Sequence, residues 1–134
     1  MTFAFIYVST VLLFVITDLA MLSFVMRPLF ERQIGHLMLA DPRFLPAAVF
    51  YLGFVAGVVW LVSLPALRAQ APLQAAINGA ILGALAYGTY EFTSYAIMRD
   101  WHIKMVVVDV IWGAVLTGFI AWGGVVITQK FFGS

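Results

Sequence analysis

Long apolar runs separated by short polar breaks occupy the whole chain. A membrane-spanning helix needs about 20 mostly apolar residues. Four stretches meet that length, over about residues 3–26, 44–67, 73–98 and 103–128. The breaks hold Arg27-Pro28, Asp41-Pro42, Pro46, Pro65, Pro72 and Arg99-Asp100, residues that end helices or turn the chain. The first stretch has no basic leader, and Asp18 stands where a small-residue cleavage site would be wanted. It reads as a retained span rather than a signal peptide.

Between the first two spans, residues 28–39 read PLFERQIGHLML. Pro28 suits a first helical turn. Phe30, Ile34, Leu37 and Met38 recur on one helical face, while Glu31, Arg32, Gly35 and His36 fall opposite. This pattern predicts a short amphipathic helix lying in the interface plane. A connector packed against the bundle is the other reading. Small residues recur at four-residue spacing within the spans: Gly53 and Gly57, then Ala75, Gly79 and Gly83, then Ala114 and Gly118. Such faces let helix backbones approach closely in lipid. Packing within one chain is the expected use, and a homodimer through the same faces is the alternative. The predicted fold is therefore one all-α domain, residues 1–134, a polytopic membrane four-helix bundle with an interfacial helix after the first span.

Composition narrows the function. Charged residues are 10% of the 134 and hydrophobic ones 64%, with net charge +1. An ordinary soluble domain carries roughly 25% charged residues. A lone cytosolic enzyme, a disordered regulator and a nucleic-acid binder are excluded, the last because no basic excess exists to hold phosphates. No cysteine is present, which removes disulfides, thiolate metal sites and cysteine nucleophiles. The lipid bilayer is the expected partner. No cofactor is implied.

The charges that remain are placed informatively. Arg27, Arg32, Arg43, Arg99 and Lys104 lie in the loops after spans one and three, and Arg68 and Lys130 on the other side. Five against two predicts basic loops in the cytoplasm and both termini outside. Asp18 lies eight residues before the end of span one, Glu91 seven before the end of span three, and Asp109 six after the start of span four. Those ends share one side, so all three carboxyls sit roughly 9–12 Å inside it at 1.5 Å per residue. An acid in a span costs roughly 2.5–3.5 kcal/mol on insertion scales, and such residues pair, face the bundle interior or mark a pathway. Close carboxyls in low dielectric cannot all ionise, so a proton or a cation is expected among them. Tyr87, Tyr90 and Trp112 are placed to wall the pocket, with Ser94, His36 and His102 as secondary candidates. The histidines and acids lack metal-ligand spacing, and no metal site is assigned. Asn78 is expected to bond between helices. Tyr7, Trp60, Trp101 and Trp122 read as interface or packing aromatics. The competing account pairs the acids with Arg27, Arg32, Arg99 or Lys104, or with Tyr and Trp donors, as a purely structural network.

Several segments carry a resemblance: GAILGALAYGTYEFTSYAIMRDW followed by VDVIWGAVL, TDLAMLSF with RPLFERQIGHLM, and FYLGFVAG. Together they resemble the bacterial membrane proteins of domain-of-unknown-function family 2177, over nearly the whole chain. The most specific piece is AYGTY-acid-x-T with the downstream D-x-x-W-G. The family pattern often has Trp where this chain has Met21, and Asp and Asn where it has Glu91 and Ser94. The resemblance implies a small bacterial inner-membrane protein with four spans and no established activity.

Function is therefore read from the residues. The leading expectation is binding and movement of a small solute, cationic or amphipathic, or of protons, at the carboxylate cluster. A membrane enzyme using carboxyl acid/base chemistry on a lipid or isoprenoid is the rival, and a structural accessory subunit the third reading. The charge bias has a direct check. A reporter fused at Ser134 should behave as exported and one near Asp41 as cytoplasmic. A cytoplasmic C-terminus would invert the orientation.

Overall fold

The computed structural model describes residues 2–21, 23–24, 27–37 and 44–132. Every regular element among them is helical: α1 (Thr2–Met21), α2 (Arg27–Ile34) with a 3₁₀ turn (Gly35–Leu37), α3 (Phe44–Val58), a π turn (Val59–Ser63), α4 (Leu64–Arg68), α5 (Pro72–Ile97) and α6 (Ile103–Phe132). The all-α architecture is the one expected. Residues 25–26 of the first predicted span, residues 38–39 of the predicted interfacial helix and Arg43 lie outside the described residues.

Among the described residues, three helices are long and apolar enough to cross a membrane: Thr2–Met21, Leu45–Arg68 and Ile103–Phe132. The 26-residue α5 has the length but not the same apolarity, because Gln74, Asn78, Thr89 and Glu91 interrupt it. It packs along α6 in the most extensive helix pair of the molecule. The second rod joins α3 and α4 through the π turn, where the Leu64 N–H reaches back to the Val59 carbonyl. That wider turn falls where Pro65 lacks a donor and its ring would crowd the carbonyl four residues earlier. In lipid each backbone polar group must find its partner inside the protein.

The rods are joined tightly. After Arg68, Gln70 takes a positive φ of 53°. The Ala71 N–H bonds to the Ala66 carbonyl at 2.9 Å and the Gln70 N–H to that of Leu67 at 3.1 Å, a Schellman closure. Pro72 then opens α5, where its missing N–H costs nothing. Asp100, at φ 69°, turns the chain from α5 to α6; Asp tolerates this region better than most residues.

α6 is the central helix. It buries thirteen residues, against three on α1. Its contact with α5 is backbone on backbone. A Cβ on Gly83 would strike the Gly113 carbonyl oxygen and lie 2.6 Å from Thr117 Oγ1. One on Gly79 would lie 2.8 Å from the Thr117 carbonyl oxygen, and one on Gly118 2.8 Å from that of Ala76. The expected small-residue seam is present, but on α6 it runs through Gly113 and Thr117 as well as Gly118; Ala114 is only half-buried. Gly123 and Gly124 receive Leu13 and Thr10 of α1 on another side. Gly53 and Gly57 are different. Nothing lies within 4 Å of where their Cβ atoms would stand, so they form no packing face within the chain.

The connector is a short helix, as expected. α2 buries Leu29 and Ile34 against Trp101, Met105 and Val106, at the turn between α5 and α6. The side chains of Phe30, Leu37 and Met38 lie outside the described residues. His36 Nε2 and Asp100 Oδ2, 2.9 Å apart, tie the same end of the bundle.

The seam makes a paired prediction. Gly83→Ala should destabilise by about 1–3 kcal/mol, the usual range for overpacking a tight contact. Gly53→Ala should stay within about 0.5 kcal/mol of the parent, as for a substitution that meets nothing. Thermal melting of both variants in detergent checks the contrast, and equal effects would contradict the seam.

Candidate functional site

Glu91 and Asp109 face each other across the turn that joins α5 to α6. Glu91 lies six residues before Ile97, and Asp109 six residues after Ile103. Two antiparallel helices joined by a short turn place such positions at one level. The glycine seam beyond them holds the helices close enough for the two side chains to meet. Glu91 is fully buried and Asp109 is 8% exposed. Their carboxyls lie within hydrogen-bonding reach of each other.

Donors reach these acids from indole rings. Trp101 Nε1 donates to Glu91 Oε1 at 2.9 Å. Glu91 Oε2 is buried and receives no N–H or O–H from the described residues. Trp112 Nε1 donates to Asp18 Oδ1 at 3.3 Å, linking α6 to α1. Trp112 lies three residues after Asp109 on α6, so its bond carries Asp18 to the α6 face that holds Asp109.

Among the described residues no Lys or Arg pairs with any of the three. Arg27 pairs instead with Glu31, at 2.9 Å on an exposed helix face. Such surface pairs contribute little.

The aromatic candidates divide. Tyr87 is half-buried, and its ring lies over Gly113, where any Cβ would collide with it. It is electrostatically coupled to both Asp18 and Asp109. Tyr90 is 53% exposed and packs edge-on against Trp101, with ring centroids 5.7 Å apart. Ser94 is buried on the Glu91 side of α5. His36 and His102 stay exposed. His102 Nδ1 accepts the Lys104 backbone N–H at 3.1 Å, a cap on the start of α6. Among the described residues no three His, Asp or Glu side chains group closely enough to hold a metal ion.

Some groups were misread or missed from sequence. Trp101 was expected at an interface or in packing, yet it is a buried donor to Glu91. Its position next to the helix-breaking pair Arg99-Asp100 is the signal that could have suggested a chain folding back. Asn78 is exposed and bonds to no other described side chain, so it does not link helices. Tyr51 was not singled out, although it lies in the field of Asp18 and Asp109. Ser63, Thr117 and Thr128 have buried hydroxyls without partners. Thr10, Thr17 and Thr89 instead donate to the carbonyl four residues back.

The indole donors rank by burial. Trp101→Phe leaves a fully buried acceptor short of its bond, which typically costs about 1–3 kcal/mol. Trp112→Phe strips a half-buried acceptor and should cost about 0.5–1.5 kcal/mol. Melting temperatures of the two variants in detergent should follow that order, and the reverse order would contradict the assignment.

No curated protein and no solved structure matches the chain. A family model does, over residues 3–126: the predicted membrane proteins termed DUF2177. With nearly the whole length matched, and with the helical bundle and its apolar spans described above, the chain belongs to the DUF2177 family of membrane proteins.

Proposed function

We propose that this membrane protein binds and moves protons, or a small positively charged solute, at its intramembrane carboxyl cluster. The observation that carries the reading is the buried Glu91–Asp109 pair, which has no basic partner among the described residues. Two buried carboxyls without a basic partner cannot both carry charge cheaply in a low dielectric. A proton or a cation between them relieves that repulsion. Asp18, linked electrostatically to Asp109, is the group through which such a cation would act. In this reading Tyr87, Tyr90 and Trp112 orient the solute, and Ser94 offers a further hydroxyl beside Glu91. The site lies toward the cytoplasmic side of a bacterial inner membrane, with both termini periplasmic. That orientation is supported by the basic residues of the loops.

A structural reading has its own supporting observation. Trp112 links Asp18 of α1 to α6, and Trp101 links Glu91 to the following turn. These bonds alone would fix the helices.

The two readings part on Glu91→Gln and Asp109→Asn. An amide beside a carboxylate can hydrogen-bond without a shared proton, so in the functional reading both variants fold and melt near the parent. Reconstituted in vesicles with an enclosed pH-sensitive dye, they should lose the proton flux of the parent. They should also lose the pH-dependent infrared band of a protonated carboxyl. In the structural reading the parent shows neither signal, and each variant loses about 1–3 kcal/mol of stability.

A further inference from the structure

Asp18 stands apart from the other two acids. It lies one helical turn beyond Phe14 on α1 and is only half-buried, whereas Glu91 is sealed. Among the described residues its one hydrogen bond is the indole N–H of Trp112, and no cationic side chain pairs with it. Aromatic rings gather beside it. Phe14 lies against Tyr51, with centroids 5.1 Å apart, and against Phe54 at 6.2 Å. Phe54 meets Tyr87 at 6.4 Å. Phe14 stands four residues before Asp18, so Tyr51, packed on Phe14, is held about one helical turn from the acid. Four rods contribute: α1 the acid, α3 Tyr51 and Phe54, α5 Tyr87, and α6 Trp112. Tyr51 is 38% exposed and Asp18 half-buried, so the group is not sealed in the core.

The chemistry selects one class of guest. An anion is repelled by the carboxylate. A hard metal cation wants six or more oxygen ligands, and one carboxylate with two phenols falls short of that. An ammonium sheathed in carbon matches both halves of the site. Its charge faces the carboxylate, and its sheath lies on the π faces, which attract cations most when water is excluded.

We propose that Asp18, with the rings of Phe14, Tyr51, Phe54, Tyr87 and Trp112, forms a binding site for an organic cation, a substituted ammonium on an apolar body. The proposal rests on the reading of the intramembrane acids as functional, but it uses an acid outside the Glu91–Asp109 pair. The guest is either a free solute or the choline headgroup of a lipid, and the shared chemistry is the substituted ammonium.

The test uses the full chain and tetraphenylphosphonium as the probe, with binding measured by equilibrium dialysis in detergent. The parent should bind it saturably. Asp18→Asn should weaken binding by about thirtyfold, the equivalent of the roughly 2 kcal/mol a desolvated cation contact supplies. Tyr51→Leu, at a half-open position where folding is not at stake, should weaken it about threefold. Asn78→Ala, at an exposed position of α5 outside the site, should bind as the parent does. Repeating the titration in nanodiscs separates the sources: competition by phosphatidylcholine but not phosphatidylglycerol assigns the site to a lipid headgroup, and equal binding in both assigns it to a free solute. Absence of saturable binding overturns the proposal. So does binding that survives both Asp18→Asn and Tyr51→Leu, or that is lost in Asn78→Ala. Binding that depends on Asp18 without proton flux through Glu91 would keep this site and remove the proton reading.

Discussion

Backbone contact between α5 and α6 is the constraint on which the rest of the bundle depends. Hydrophobic burial does not drive helices together inside lipid, so close packing must. Gly79 and Gly83 bring α5 onto the carbonyls of Gly113 and Thr117, closer than any side chain would allow. That approach fixes the register of the two helices. It sets Glu91 opposite Asp109, and it lays the Tyr87 ring over Gly113. α1 then docks on a separate pair of glycines of α6, carrying Asp18 to Trp112. One helix thus organises all three acids.

The donors chosen for those acids matter. An Arg or Lys beside Glu91 would settle its charge permanently. An indole N–H supplies one hydrogen bond and no charge, leaving the protonation of the pair to its surroundings. Trp101 also closes the end of the site. It is buried with Leu29 and Ile34 of α2, and the neighbouring Asp100 pairs with His36. The connector and the α5–α6 turn form a lid of ordinary apolar packing over the buried carboxyls. Asp18 is only half-buried and takes its bond from Trp112 instead.

Much of this was legible in the residues. Apolar run length located the helices, because a bilayer imposes a length that little else in sequence can mimic. Counting from helix ends set Glu91 and Asp109 at matching distances from the α5–α6 turn, since rise per residue is nearly constant. What stayed hidden was rotation about each helix axis. Gly113 rather than Ala114 faces α5, Asn78 faces away, and Gly53 with Gly57 touches nothing. All small or polar residues in a span look alike until the crossing point is known. Trp101 was hidden for another reason: its bond to Glu91 depends on a five-residue turn with Asp100 in the left-handed region. Tyr51 belongs to a rod distant in sequence from every acid, and only the assembled bundle brings it near Asp18.

The modest apolarity of α5 has a consequence for how the protein is made. Placed in hydrocarbon by itself, this helix would expose Gln74, Asn78 and Glu91 to lipid, each a penalty against entry. α6 follows after a turn of five residues and is among the most apolar segments of the chain. The favourable partition of α6 can carry its neighbour across if the two enter as a hairpin, with the glycine seam and the carboxyl pair already closed. Biogenesis of this protein then has a natural order. α1 and the second rod each insert on their own merit as they leave the ribosome. The last two helices would then enter together, so Glu91 and Asp109 first meet the bilayer as a pair.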